Sequence, residues 1–227
     1  INRTEILETV WHGIGSEAWN YLPPILPETN VDTALNFSYD PAMAVDLLDQ
    51  AGYRDRDADG WVEKGNQELT LDLWTATRGE DISMGEILKD QIEAIGVHVE
   101  LAHYEDNTLT DMASAGDQEA CLFKDSWPRA DILDWLLGSW AIPYPNTAHF
   151  SDQTFDDLIA AGYESTTDEE YTAAMTAAHE RVLELAPWAP VLYWDQVHAV
   201  HEWVTGWTLH PLGQETVQNL VDVDIEK

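Results

Sequence analysis

Two alternating segments, separated by one amphipathic stretch, do most to restrict how this chain can fold. Leu69, Leu71 and Leu73 alternate with Thr70 and Asp72, and Val97, Val99 and Leu101 alternate with His98 and Glu100. Period-two alternation predicts strands with one buried face. Between them, residues 81 to 95 place Met84, Ile87, Leu88, Ile92 and Ile95 on one helical stripe, and Gly96 stops it. Strand, helix, strand in that order predicts parallel pairing through a crossover. A short helix over 106 to 115 and an apolar run from Ala120 to Phe123 predict a further strand. The fold class expected is α/β, a mixed central sheet flanked by helices. Such sheets place ligands near strand C-termini.

Three more helices follow from spacing and caps. Residues 3 to 12 carry Ile6, Leu7, Val10 and Trp11 on a stripe, with Asn2 as N-cap and Gly13 as stop. From Pro41 to Ala51, Met43, Ala44, Leu47, Leu48 and Ala51 recur at helical spacing, with Asp40 as cap and Gly52 as end. Residues 168 to 186 form a long helix with Tyr171, Met175, Ala178, Val182 and Leu185 inward, closed by Pro187. The last strands are expected within residues 190 to 204.

The stretch from Lys124 to Leu158 is where chemistry concentrates. It holds Trp127, Trp135 and Trp140, a Pro-containing turn, and Asn146 to Phe150. A strand that empties into aromatic residues and an acid suits a ligand cleft, since pockets are apolar walls with a few placed polar groups. Asp131 is that acid. It is equally an N-cap for a helix over 132 to 138.

The order Trp127, Ala130-Asp131, Asp134, Asn146 to Phe150 and Phe155-Asp156-Asp157-Leu158 resembles the family 5 extracellular solute-binding proteins. Two further blocks extend the likeness: Tyr39-Asp40-Pro41 with Ala51-Gly52-Tyr53, and Leu88 with Ile95-Gly96-Val97. These are peptide-binding components of ABC importers. The resemblance implies a periplasmic-binding-protein type II-like lobe over residues 1–204, the C-terminal half of a longer protein. It implies that residues 205–227 return toward the N-terminal lobe and are poorly anchored without it. It also implies that Asp131 binds a peptide's amino group, that Trp127 lines the pocket and that Lys124 meets a peptide carboxylate. Trp135, Asn146 and His149 are further ligand-binding candidates in the same stretch. The spacing departs from oligopeptide binders at Pro128 and Arg129, which set Asp131 four positions after Trp127 rather than three. The partners implied are a small peptide and the permease subunits, the protein a monomer at the periplasmic or extracellular face of the membrane.

Charge narrows the alternatives. The formal net charge is -33, from 43 acids against 10 Lys plus Arg, so a phosphate backbone is an unsuitable partner. The 44% hydrophobic content and 11 Trp argue for a packed core rather than a solvated acidic tail. The acids are evenly spread, which reads as a halophilic surface whose self-repulsion salt screens. No apolar run is long enough to insert in a membrane. Cys121 reads as a buried small hydrophobe.

Asp55, Asp57 and Asp59 alternate before Gly60, and Glu63 follows. This resembles the first half of a calcium loop, although the twelfth position is Asn66; the other reading is an acidic turn. A structural Ca2+ is the one cofactor to consider. His198 and His201 have the wrong spacing to share a metal if they lie in a strand. Two alternatives to peptide binding remain: an oligosaccharide stacked on Trp127, Trp135 and Trp140, and hydrolysis by the paired acids Asp131 and Asp134.

Overall fold

The computed structural model describes residues 1–227 except 37, 128, 196, 209–222, 226 and 227. The chain opens with helix α1 (Arg3–Thr9), capped by the Asn2 side chain, which accepts from the backbone N–H of Glu5. Strand β1 (Ser16–Glu17) pairs with a late segment described below. Helix α2 (Pro41–Gln50) starts where Asp40 accepts from the Met43 N–H and Pro41 occupies the first turn. Its predicted apolar face is not buried: Met43 and Leu47 are exposed. Helical spacing foretells an amphipathic element, but not what covers it.

A small hairpin, β2 (Glu63–Lys64) with β3 (Gln67–Glu68), precedes the central unit. Strand β4 (Thr70–Ala76), helix α3 (Gly79–Glu93) and strand β5 (His98–Tyr104) form the expected strand–helix–strand, with β4 and β5 parallel from Thr70 opposite His98 to Ala76 opposite Tyr104. Helix α4 (Asp106–Ala115) returns the chain to β6 (Ala120–Cys121), which pairs parallel with β4 on its other side. The strand order is therefore β5-β4-β6. The strand at 120 is shorter than its apolar run suggests, because Phe123 turns outward and is exposed. Cys121 is half-buried, and burial raises its thiol pKa to about 11.

Alternation assigns the two faces of the sheet. Leu73 and Val99 pack with Met84 and Leu88 of α3 and Ile6 of α1. Trp74 and Ala76 pack on the opposite side with Leu109 of α4. Each fully buried aliphatic side chain contributes about 1.5–3 kcal/mol. Helix α3 lies so close that a Cβ on Gly85 would meet Thr75 Cγ2 at 2.8 Å.

The rest of the chain forms a helical layer. Helices α5 (Ile132–Leu137), α6 (Gln153–Glu164) and α7 (Asp168–Leu185) bury Leu133, Leu137, Phe155, Ile159, Met175, Ala178 and Val182 together. Leu185, expected inward, is exposed. Strand β7 (Leu192–Tyr193) pairs antiparallel with β1, and β8 (Val204–Thr205) pairs with β9 (Asp224–Ile225). Residues 197–203, expected in strands, are not in one. Most of the returning segment 205–227 lies outside the described residues. No helix among the described residues is long and apolar enough to cross a membrane.

Candidate functional site

Beyond β6 the Leu122 N–H still bonds to Trp74 O at 2.8 Å, and then the chain leaves the sheet toward α5. This exit carries Lys124, Trp127 and Asp131. Lys124 points back into the fold. Its ammonium lies 3.0 Å from Glu80 Oε1 and 3.1 Å from Asp81 Oδ1, and 6.0 Å from the Trp11 ring centre. Asp81 is 4% exposed and needs that cation. Arg78 adds a second cation 3.6 Å from Asp81 and also pairs with Asp106. A backbone N–H and Lys124 together hold the Glu80 carboxyl below its usual range. Beside the expected meeting of Lys124 with a peptide carboxylate stands this structural role, in which its ammonium is held by two acids.

Asp131 stands at the N-cap position of α5, but its side chain makes no capping bond. Its Oδ1 instead accepts from the Trp127 indole N–H at 2.8 Å, and its Oδ2 lies 3.5 Å from Arg129 Nε. The carboxylate is 25% exposed, at the surface where the strand ends give way to the helical layer. Of the two readings of this residue, the capping one is not what its side chain does.

Trp127, Trp135 and Trp140 form a wall. Trp127 and Trp135 are stacked, ring centres 6.4 Å apart and 9° from parallel; Trp135 and Trp140 meet edge-on at 5.9 Å. All three are exposed. Asp134 fixes the far end, accepting from Trp140 Nε1 at 2.7 Å and from Tyr163 Oη at 2.8 Å. Gly138 makes room for this junction: a Cβ there would sit 2.5 Å from Asp134 O and 2.6 Å from Trp140 Nε1. Burial and the bond to Asp134 push the Tyr163 hydroxyl pKa up, so it stays a donor.

Of two other candidates, Asn146 is buried and His149 is exposed. Asn146 is fully buried; its amide donates to Gly138 O at 3.0 Å and to Phe150 O at 2.8 Å, and its carbonyl accepts from the Phe150 N–H. It ties the turn to α5 and cannot reach a ligand. His149, at φ 50°, lays its ring against Gly116 with Nε2 3.1 Å from Ser114 O, docking the turn on the end of α4.

The acidic turn gathers three carboxylates. Asp55, Asp57 and Asp59 bring oxygens within 4.8 Å of one another, all exposed. Glu63 is not with them: its Oε1 accepts from the Arg56 N–H at 2.9 Å. Asp55 also accepts from the N–H groups of Ala58 and Gly60. Three carboxylates supply part of the six to eight oxygen ligands that calcium takes.

Sequence reasoning missed Tyr163 and the role of Arg129. Tyr163 has no local signal, because its partner Asp134 lies on a different helix. His179 was also passed over: it is fully buried, with Nδ1 3.0 Å from Glu28 O and Nε2 accepting from the Tyr21 N–H at 3.3 Å.

With this geometry in place, the chain can be compared with known proteins. Residues 1–159 match the family described as bacterial extracellular solute-binding proteins, family 5 Middle. Heme-binding protein A of Haemophilus influenzae is 29% identical over 219 residues, 95% of this chain and 38% of that protein. The fold is similar to that of the oligopeptide-binding protein AppA from Bacillus subtilis, solved with a nonapeptide (TM-score 0.84, 18% identity, 100% of this chain and 46% of that one). It is also similar to a periplasmic oligopeptide-binding protein from Thermotoga maritima with bound mannohexaose (TM-score 0.79, 17% identity, 100% of this chain and 48% of that one). The chain thus spans less than half the length of each of these proteins.

Proposed function

The chain belongs to the bacterial extracellular solute-binding proteins of family 5, and from that premise we propose that it is one lobe of a peptide receptor serving an ABC importer. In this reading residues 1–204 form the substrate-binding lobe and residues 205–227 return toward a second lobe. Two lobes close over the peptide by hinge motion and deliver it to permease subunits at the outer face of the membrane. The protein works as a monomer and binds without catalysing a reaction.

The observation that carries the reading is the position of Asp131. Its carboxylate is partly exposed beyond the strand ends, with Trp127 oriented by it. A peptide ammonium placed there gains a charge-assisted bond of about 1.5–3 kcal/mol. Micromolar affinity needs about 8 kcal/mol, so the Trp faces and backbone bonds supply the remainder. A calcium ion on the Asp55–Asp59 turn would act only as a brace, and a calcium-dependent rise in melting temperature is its test.

A saccharide is the second reading. The exposed Trp stack supports it, as does the mannohexaose in a relative of the same fold. Intrinsic Trp fluorescence, titrated with short peptides and with cello-oligosaccharides, separates the two. Saturable change with peptides alone supports the first; change with saccharides alone replaces it.

A further inference from the structure

Asp134 differs from the other acids of the wall in what surrounds it. Asp131 has Arg129 beside it, whereas Asp134 has no ion-pair partner among the described residues. Its two oxygens are held by neutral donors, Trp140 Nε1 and Tyr163 Oη, at 2.7 and 2.8 Å. Those donors fix the carboxylate in place but leave its charge uncompensated. The indole N–H of Trp140 is thereby spent on Asp134, so the ring has only its faces to offer a ligand. Trp140 is 61% exposed and Trp135, edge-on to it, 43%. A hydrogen bond from an indole N–H to a carboxylate also polarises the ring toward a more negative face.

An aromatic face beside an uncompensated carboxylate attracts cations, by the ring quadrupole and by the charge together. We propose that Trp135, Trp140 and Asp134 form a cation subsite, which takes an alkylammonium or guanidinium group of the ligand. Asp134 is its positioning residue as well as its charge. As a contact for a second group of the peptide, the subsite rests on the peptide-receptor reading. It adds that the preferred peptides carry a basic side chain in addition to a free amino terminus.

The test uses choline and its neutral isostere 3,3-dimethylbutan-1-ol, neither of them a peptide, so the two proposals can fail separately. Indole N–H resonances of the 15N-labelled chain are followed at constant ionic strength, with Trp135 and Trp140 assigned by Trp→Phe substitution. Choline is expected to shift both resonances saturably, and the isostere to bind at least about fivefold more weakly. Asp134→Asn should weaken choline by a similar factor. Equal shifts by choline and the isostere, no shift by choline, or unaltered choline binding in Asp134→Asn would each overturn the subsite. If Asp134→Asn does not fold, the comparison of choline with its isostere on the unaltered chain decides the matter. Choline binding without any peptide binding would leave the subsite standing and remove the peptide reading.

Discussion

Lys124 Nζ lies 3.1 Å from Oδ1 of Asp81, a buried carboxylate in the first turn of α3. The pair closes the gap left where β6 departs, and it makes Lys124 a structural residue. Lys124→Met keeps the stem and removes the charge. It should destabilise the chain by about 1–3 kcal/mol, less than the cost of an unpaired buried acid, because Arg78 remains 3.6 Å from Asp81. Urea unfolding measures this. Peptides with free and amidated C-termini should lose affinity alike; selective loss for the free carboxylate would restore the ligand role.

Asn146 is predicted to behave as a core residue. Asn146→Ala leaves the carbonyls of Gly138 and Phe150 and the Phe150 N–H without this partner. Unpaired buried groups cost about 1–3 kcal/mol each, so a loss of that order in urea unfolding is expected. Reduced ligand affinity with unchanged stability would contradict the assignment.

His179 makes stability depend on pH. Burial lowers its pKa from the ordinary value of 6.5, and the bond to Glu28 O only partly offsets this. Below pH 6.5 the unfolded imidazole takes up a proton that the folded one resists, so the unfolded state binds more protons and stability rises with pH. The contribution is present above pH 6.5 and is lost as pH falls through the lower folded pKa. The urea midpoint should therefore drop between pH 7 and pH 5 more steeply in the native chain than in His179→Gln. Parallel pH profiles would show that the buried imidazole is not responsible.

Strands β4 and β5 were legible because each alternates strictly, and α3 because its stripe is bounded by Gly96. The same logic overran at Ala120–Phe123, where the chain leaves the sheet so that Lys124 can reach Asp81. Helix α2 shows a different limit: its spacing identified the helix correctly, yet Met43 and Leu47 are exposed. The site was half legible. Trp127 and Asp131 lie four residues apart and do meet, whereas Asp134 and Tyr163 are joined only by the packing of α5 against α6. Asn146 and His149 looked like ligand residues because they are polar and near Trp140. Burial, which local sequence does not encode, makes Asn146 a core residue, while His149 stays exposed with its ring against Gly116.

The acidic surface predicts a requirement for salt. A net charge of -33 repels itself in the compact state. The screening length falls from about 10 Å at 0.1 M to about 3 Å at 1 M. The melting temperature should climb as NaCl or KCl is raised over this range. A flat response would remove the halophilic reading of the surface.

Calorimetry of Asp131→Asn with two ligands, a free-amine peptide and its N-acetylated form, bears most directly on recognition. The unaltered chain should bind the free amine more tightly. The substitution should cost the free amine about 1.5–3 kcal/mol, roughly ten- to a hundredfold, and the acetylated form far less. Equal loss for both ligands would contradict a grip on the amino terminus by this carboxylate.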